Sequence, residues 1–166
     1  MKKPKQNKVG VITLGCSKNT VDSERLMRQL QSNKFELVDN PIDAEMLIIN
    51  TCGFIEAAKN ESVETILNAV SLKNSGKIKK IVVAGCLSER YKNELLKEIP
   101  EVNAFFGTEK YEDIITELGG KLKYELLGER LLTTSSHTAY LKISEGCDHP
   151  CSFCAIPLMR GLHKSK

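Results

Sequence analysis

Ile78-Lys79-Lys80-Ile81-Val82-Val83-Ala84-Gly85-Cys86 is a nearly continuous apolar run, its two lysines excepted, ending on a glycine and a cysteine. A strand covered on both faces needs continuous rather than alternating apolar residues, so the run predicts a strand in a parallel sheet. A helix follows as far as Ile99, where Pro100 stops it. Before the run, Ile55, Ala58, Val63, Ile66, Leu67, Ala69 and Val70 recur at helical spacing, and Asn74-Ser75-Gly76 closes that helix.

The same alternation extends in both directions. Residues 8–14, 35–38 and 45–51 read as earlier strands and residues 102–106 as a fifth. A helix over residues 19–32 buries Leu26, Met27 and Leu30, and carries Asp22 and Glu24 in its first turn, where negative charge suits the helix dipole. Residues 111–118 form a last helix closed by Gly119-Gly120. The expected fold is α/β: a doubly wound, mainly parallel five-stranded sheet, flavodoxin- or Rossmann-like, over residues 1–120. Residues 121–137 read as a linker, and residues 138–166 as one further strand, 138–144, running straight into a cysteine loop.

The chain has 166 residues, 41% hydrophobic and 27% charged, the balance of a globular protein. No apolar run nears the ~20 residues that cross a bilayer. The basic start leads into a short strand-like run, not a signal-peptide core, so the cytoplasm is the expected location and no membrane is involved. A net charge of +3, with lysines scattered at both ends and in one loop, gives no support for nucleic-acid binding.

Six cysteines therefore stand out. In a reducing compartment, clustered thiols more often bind metal or do redox chemistry than form disulfides. Cys16, Cys52 and Cys86 each follow an apolar strand and precede a helix, in Leu-Gly-Cys, Asn-Thr-Cys and Ala-Gly-Cys. In a parallel sheet all such loops emerge at the carboxyl edge, so three thiolates converge there, with Gly15, Gly53 and Gly85 allowing close approach. A single cysteine of this kind would read as a small buried hydrophobe; three at equivalent positions read as a metal site. A closed zinc site takes four ligands and no fourth is evident, whereas three thiolates suit a 4Fe–4S cluster with one open iron.

Cys147, Cys151 and Cys154 form a second constellation, a C-x3-C-x2-C loop after a strand. This spacing wraps three sulfurs around one cubane and leaves an iron free for a cofactor's amino and carboxylate groups. Phe153 would shield that cluster from water and tune its potential. The competing reading is zinc, with His149 or His163 as fourth ligand.

With these motifs in place the chain resembles the methylthiotransferase family of radical S-adenosylmethionine (SAM) enzymes, most closely the branch that modifies an aspartate of a ribosomal protein. The resemblance rests on Leu14-Gly15-Cys16-Ser17-Lys18-Asn19, Val21-Asp22-Ser23-Glu24, Asn50-Thr51-Cys52-Gly53-Phe54-Ile55 and Ala84-Gly85-Cys86. It continues through Tyr140-Leu141-Lys142-Ile143-Ser144-Glu145-Gly146-Cys147 to Ile156-Pro157-Leu158-Met159-Arg160-Gly161. Lys18, and Gly-Phe-Ile after Cys52, favour the protein-modifying branch over the one that modifies transfer RNA.

The resemblance implies that Cys16, Cys52 and Cys86 hold an auxiliary 4Fe–4S cluster and Cys147, Cys151 and Cys154 the radical-SAM cluster. It implies transfer of a methylthio group to the β-carbon of an aspartate in the twelfth protein of the small ribosomal subunit, using two SAM. Family members continue into a radical-SAM barrel, so residues 138–166 are expected to be its incomplete start. A lone strand and loop cannot bury their faces, so residues 137–166 are expected to be disordered or to dock in a non-native way, and the chain alone to be inactive. The rival readings are a transfer-RNA adenosine methylthiotransferase and, from another class, a flavodoxin-like or zinc-binding module. The first strand ends without a G-x-G-x-x-G fingerprint, which argues against a dinucleotide but leaves a flavin open.

Overall fold

The computed structural model describes residues 7–165. Strands β1 (Lys8–Thr13), β2 (Glu36–Val38), β3 (Met46–Thr51), β4 (Lys80–Gly85) and β5 (Ala104–Phe105) form one sheet in the order β2-β1-β3-β4-β5. Every neighbouring pair is parallel. Helices α1 (Ser17–Ser32), α2 (Glu56–Asn74), α3 (Cys86–Glu98) and α4 (Tyr111–Glu117) connect or follow the strands.

Two cores follow from the pleat, which sends successive side chains to opposite faces. Leu47, Ile49, Ile81 and Val83 pack with Ile66 and Val70 of α2 and Leu87 and Leu95 of α3. Met46, Ile48, Val82 and Ala84 pack with Leu26 and Leu30 of α1 and Ile114 and Ile115 of α4. Both faces are thus covered, which is why β3 and β4 carry continuous apolar runs. The doubly wound expectation holds, and the strand order reverses between β1 and β3, where such folds bind ligands.

Three expectations change. Helix α1 starts at Ser17, with no acidic residue in its first turn. Asp22 and Glu24 therefore lie a turn further on and are buried, so they serve packed partners rather than the helix dipole. Residues 121–137 do not run free. Gln29 exchanges hydrogen bonds with the Lys123 backbone, Asn33 with that of Lys121, and the buried Glu24 takes Thr133 N–H at 2.9 Å. One face of α1 thus straps this stretch down.

The strand expected over residues 138–144 is the third change. Only β6 (Ser144–Glu145) is a strand, paired antiparallel with β7 (Lys164–Ser165) after a short helix α5 (Ile156–Arg160). Leu141 is 82% exposed while Lys142 is buried, so the expected apolar face is turned outward. Ion pairs described below decide this orientation. Of the two expected outcomes the segment docks, against α3 and the loop after β5: Thr108 donates to the Met159 carbonyl at 3.0 Å, and Met159 and Arg160 are buried.

Candidate metal centre

Cys16, Cys52 and Cys86 follow β1, β3 and β4, which are adjacent in the sheet. Their ends are level, with Thr13 opposite Asn50, Asn50 opposite Ala84 and Thr51 opposite Gly85. Adjacent strands lie about 4.8 Å apart, so three turns emerging at one level bring their first residues together. All three cysteines line one cleft of about 570 Å³, with Lys18, Phe54, Ile55, Ile156, Met159 and Arg160 among its other walls. Cys52 and Cys86 are buried and Cys16 is exposed.

The turns depend on what surrounds each sulfur. Gly15 has φ +88°, and a Cβ there would lie 2.8 Å from Cys52 Sγ. Gly85 has φ +98°, and its Cβ would stand 2.4 Å from Asn50 Oδ1. Both positions require a left-handed backbone and a missing side chain. Asn19 Nδ2 donates to the carbonyls of Leu14 and Thr51, tying the first two turns together. Asn50 Nδ2 returns a bond to the Asn19 carbonyl at 3.0 Å and another to Ser23. Ser62, on α2, accepts from Cys52 N–H at 3.1 Å and donates to Cys52 C=O at 2.9 Å. A buried polar lattice thereby leaves the three thiols as the reactive groups at this edge.

Burial pushes the Cys86 thiol above its ordinary value, and the nearby Cys52 and Cys16 push the same way, while Arg160 opposes them. A bound cation would relieve that mutual repulsion. Four sulfurs around zinc stand about 3.8 Å apart, given Zn–S near 2.3 Å. Among the described residues, neither cysteine trio has its sulfurs all within 4.8 Å of one another. The donor set is all thiolate, and three thiolates are one ligand short of a closed zinc site.

The second trio is more open. Cys147 and Cys154 are half-buried and Cys151 is exposed. Cys147 N–H donates to the Gly161 carbonyl at 3.1 Å, closing the neck of the loop. Asp148 accepts His163 N–H at 2.8 Å. Phe153 is 89% exposed, so within this chain its ring stands in solvent rather than over the cysteines. Neither His149 nor His163 joins a close three-ligand group among the described residues.

One acidic trio does lie close together among the described residues, Asp22, Glu109 and Glu145. Its centre is already cationic. Lys142 Nζ sits 2.6 Å from Asp22 and 3.4 Å from Glu109, and also pairs with Glu145. Burial alone would lower the Lys142 pKa, but Asp22 and Glu145 outweigh it and raise it. Burial alone would raise Glu145, and Lys142 and Arg160 hold it below its ordinary value. Asn19, Asn50, Lys142 and Arg160 stand inside the motifs quoted from the sequence but were given no role there, and Ser62 was not singled out. One usable signal was a lysine inside the otherwise apolar Tyr140-Leu141-Lys142-Ile143, and another was an asparagine closing an apolar strand.

Residues 8–107 match the family model described as "Uncharacterized protein family UPF0004". The chain belongs to this family. Curated relatives carry the name "Ribosomal protein uS12 methylthiotransferase RimO". One from Chloroherpeton thalassium is 55% identical over 162 residues, covering 98% of this chain and 37% of that protein. Another, from Christiangramia forsetii, is 56% identical over 161 residues, covering 97% of this chain and 36% of the relative. A third, from Flavobacterium johnsoniae, is 54% identical over 165 residues. The chain thus spans a little over a third of the length of these relatives, and the family resemblance read from its motifs is borne out.

Proposed function

We propose that this chain is the cysteine-bearing part of a methylthiotransferase acting, as its relatives are named, on ribosomal protein uS12, with the β-carbon of an aspartate as acceptor. Cys16, Cys52 and Cys86 hold an auxiliary 4Fe–4S cluster, and Cys147, Cys151 and Cys154 hold the radical-SAM cluster; Phe153, whose ring stands in solvent in this chain, would have to turn over that cluster to shield it. The observation that carries this reading is the convergence of three thiols from neighbouring strands on one cleft. When bound, one SAM would give its methyl to a sulfur held at the auxiliary cluster, and a second, cleaved with one electron from an external reductant, would take the hydrogen from the unactivated acceptor carbon.

The chain's own residues bind and orient. Gly15 and Gly85 give the sulfurs their approach, Ser62 and Asn19 fix the turns, and Phe54, Ile55, Ile156 and Met159 give the cleft apolar walls. Such walls keep water from a group whose potential depends on exposure. Among the described residues no helix is long and apolar enough to cross a membrane, and the reading assigns the protein to the cytoplasm.

Anaerobic reconstitution with iron and sulfide, then metal analysis and electron paramagnetic resonance of the reduced sample, tests the site. Iron and a cluster signal that fall on replacing Cys16, Cys52 or Cys86 by serine support it; stoichiometric zinc without iron defeats it. For the substrate, a chain extended to its relatives' length is offered uS12 and transfer RNA. A mass gain on the RNA instead of the protein moves the enzyme to the other branch, and methylthio transfer by the present chain alone overturns its expected inactivity.

A further inference from the structure

The second cysteine loop leaves and re-enters the fold through one knot of buried charge. Lys142 and Glu145 precede Cys147, and Arg160 follows Cys154. Lys142 Nζ reaches Asp22 Oδ1 at 2.6 Å and pairs with Glu145 Oε2. Arg160 Nη1 reaches Asp22 Oδ2 at 2.6 Å and the same Glu145 oxygen at 3.1 Å. The four groups close a ring of alternating sign, and each side chain is more than nine-tenths buried. Tyr111 donates to Asp22 at 3.0 Å, Gly146 N–H to Glu145 at 3.2 Å, and Lys18 lies 3.5 Å from Glu145, so both carboxylates are fully engaged.

This ring belongs to both cysteine sites. Asp22 stands on the helix that Cys16 caps. Arg160 Nη2 also hydrogen-bonds Asn19 Oδ1, the oxygen that faces Cys86 Sγ at 3.9 Å, and Arg160 forms part of the cleft wall beside the three thiols. On the entering side of the loop's neck apolar burial does not hold it, because Leu141 and Ile143 are exposed while Lys142 between them is buried; on the returning side only Met159 is an apolar anchor beside Arg160. Buried ion pairs are a poor source of net stability compared with apolar packing of the same volume, but they satisfy only one register.

We propose that Asp22, Lys142, Glu145 and Arg160 are positioning residues that pin both ends of the Cys147–Cys154 loop at a fixed separation from Cys16, Cys52 and Cys86. The docking stands on geometry alone. Its role in holding two clusters in register rests on the function proposed above, and the test keeps the two apart.

In the metal-free chain, Arg160→Met and Asp22→Asn are compared with the parent by limited proteolysis and thermal melting. Each variant leaves a buried charge unpaired, so cleavage within residues 138–165 is expected to rise about a hundred-fold, while residues 8–118 resist as before. An unchanged cleavage rate overturns the docking. Should either variant fail to fold, Arg160→Lys, which keeps the charge but loses the fork, is expected to give a smaller rise and is decided by the same rule. In the reconstituted, reduced chain, the magnetic interaction between the two clusters is read from line broadening and power saturation. The parent is expected to show it, and Arg160→Met to lose it with iron content retained. Retained interaction overturns the positioning role, as does a parent holding both clusters without interaction. A parent that binds no second cluster defeats the function proposed above and leaves the proteolysis result to stand or fall alone.

Discussion

Replacing Ser62 by alanine removes one oxygen and should cost more than its position in mid-helix suggests. Ser62 Oγ accepts from Cys52 N–H at 3.1 Å and donates to Cys52 C=O at 2.9 Å, and the residue is fully buried. Alanine fits the helix slightly better, a gain of about 0.5 kcal/mol. Against that, two buried backbone groups lose their side-chain partner, at about 1–3 kcal/mol each. The net expectation is a loss of about 1.5–5.5 kcal/mol, or a fall in melting temperature of roughly 3–20 °C for a chain of this length. Thermal and urea unfolding of the metal-free protein measure it, with Ser62→Thr as the partner variant that keeps the hydroxyl. A melting temperature within about 2 °C of the parent would refute the reasoning, because Cys52 would then have other partners for both groups.

Gly15→Ala forces a side chain into a left-handed backbone against Cys52 Sγ; it should destabilise by about 2–4 kcal/mol and lower iron uptake at the first site, read by melting and metal analysis. Glu24→Gln keeps the shape but removes the charge facing Arg130 at 3.4 Å, and weakens the bonds to Thr133. Cleavage within residues 129–137 should then rise about ten-fold, with a sheet core that melts as before. Burial, then Asp22, raises the Tyr111 pKa well above 10, and Lys142 is raised above 10.5. Groups raised on folding stabilise below their unfolded values and lose that contribution as pH climbs past them. The melting temperature should therefore fall above about pH 10, less steeply in Tyr111→Phe, and an identical slope would contradict the assignment.

Much of the fold was legible because continuous apolar strands and polar-plus-glycine stops leave few alternatives. The first cysteine site was legible for a related reason: a residue just after a parallel strand has only one edge to occupy. What escaped was decided by polar pairing. Asp22 and Glu24 look like ordinary residues near a helix start, yet each is buried against segments more than a hundred positions away. The expected strand at residues 138–144 had the right alternation and the wrong face, because Lys142 finds two carboxylates inside and Leu141 finds nothing there to bury against. The strap over residues 121–137 depends on Glu24, Gln29 and Asn33 as anchors, and no hydrophobic period announces such a role.

Asp22 and Arg160 are 138 positions apart. A ribosome adding about 5–20 residues per second makes the first roughly 7–30 s before the second. Domains fold as units while that interval runs, so the sheet and α1 can be complete with the Asp22 carboxylate still hydrated. The segment that carries Arg160 must then strip water from a surface already folded. The cleft that holds Cys16, Cys52 and Cys86 therefore has a window in which it still lacks its Arg160 wall, and synthesis itself sets how long that window lasts.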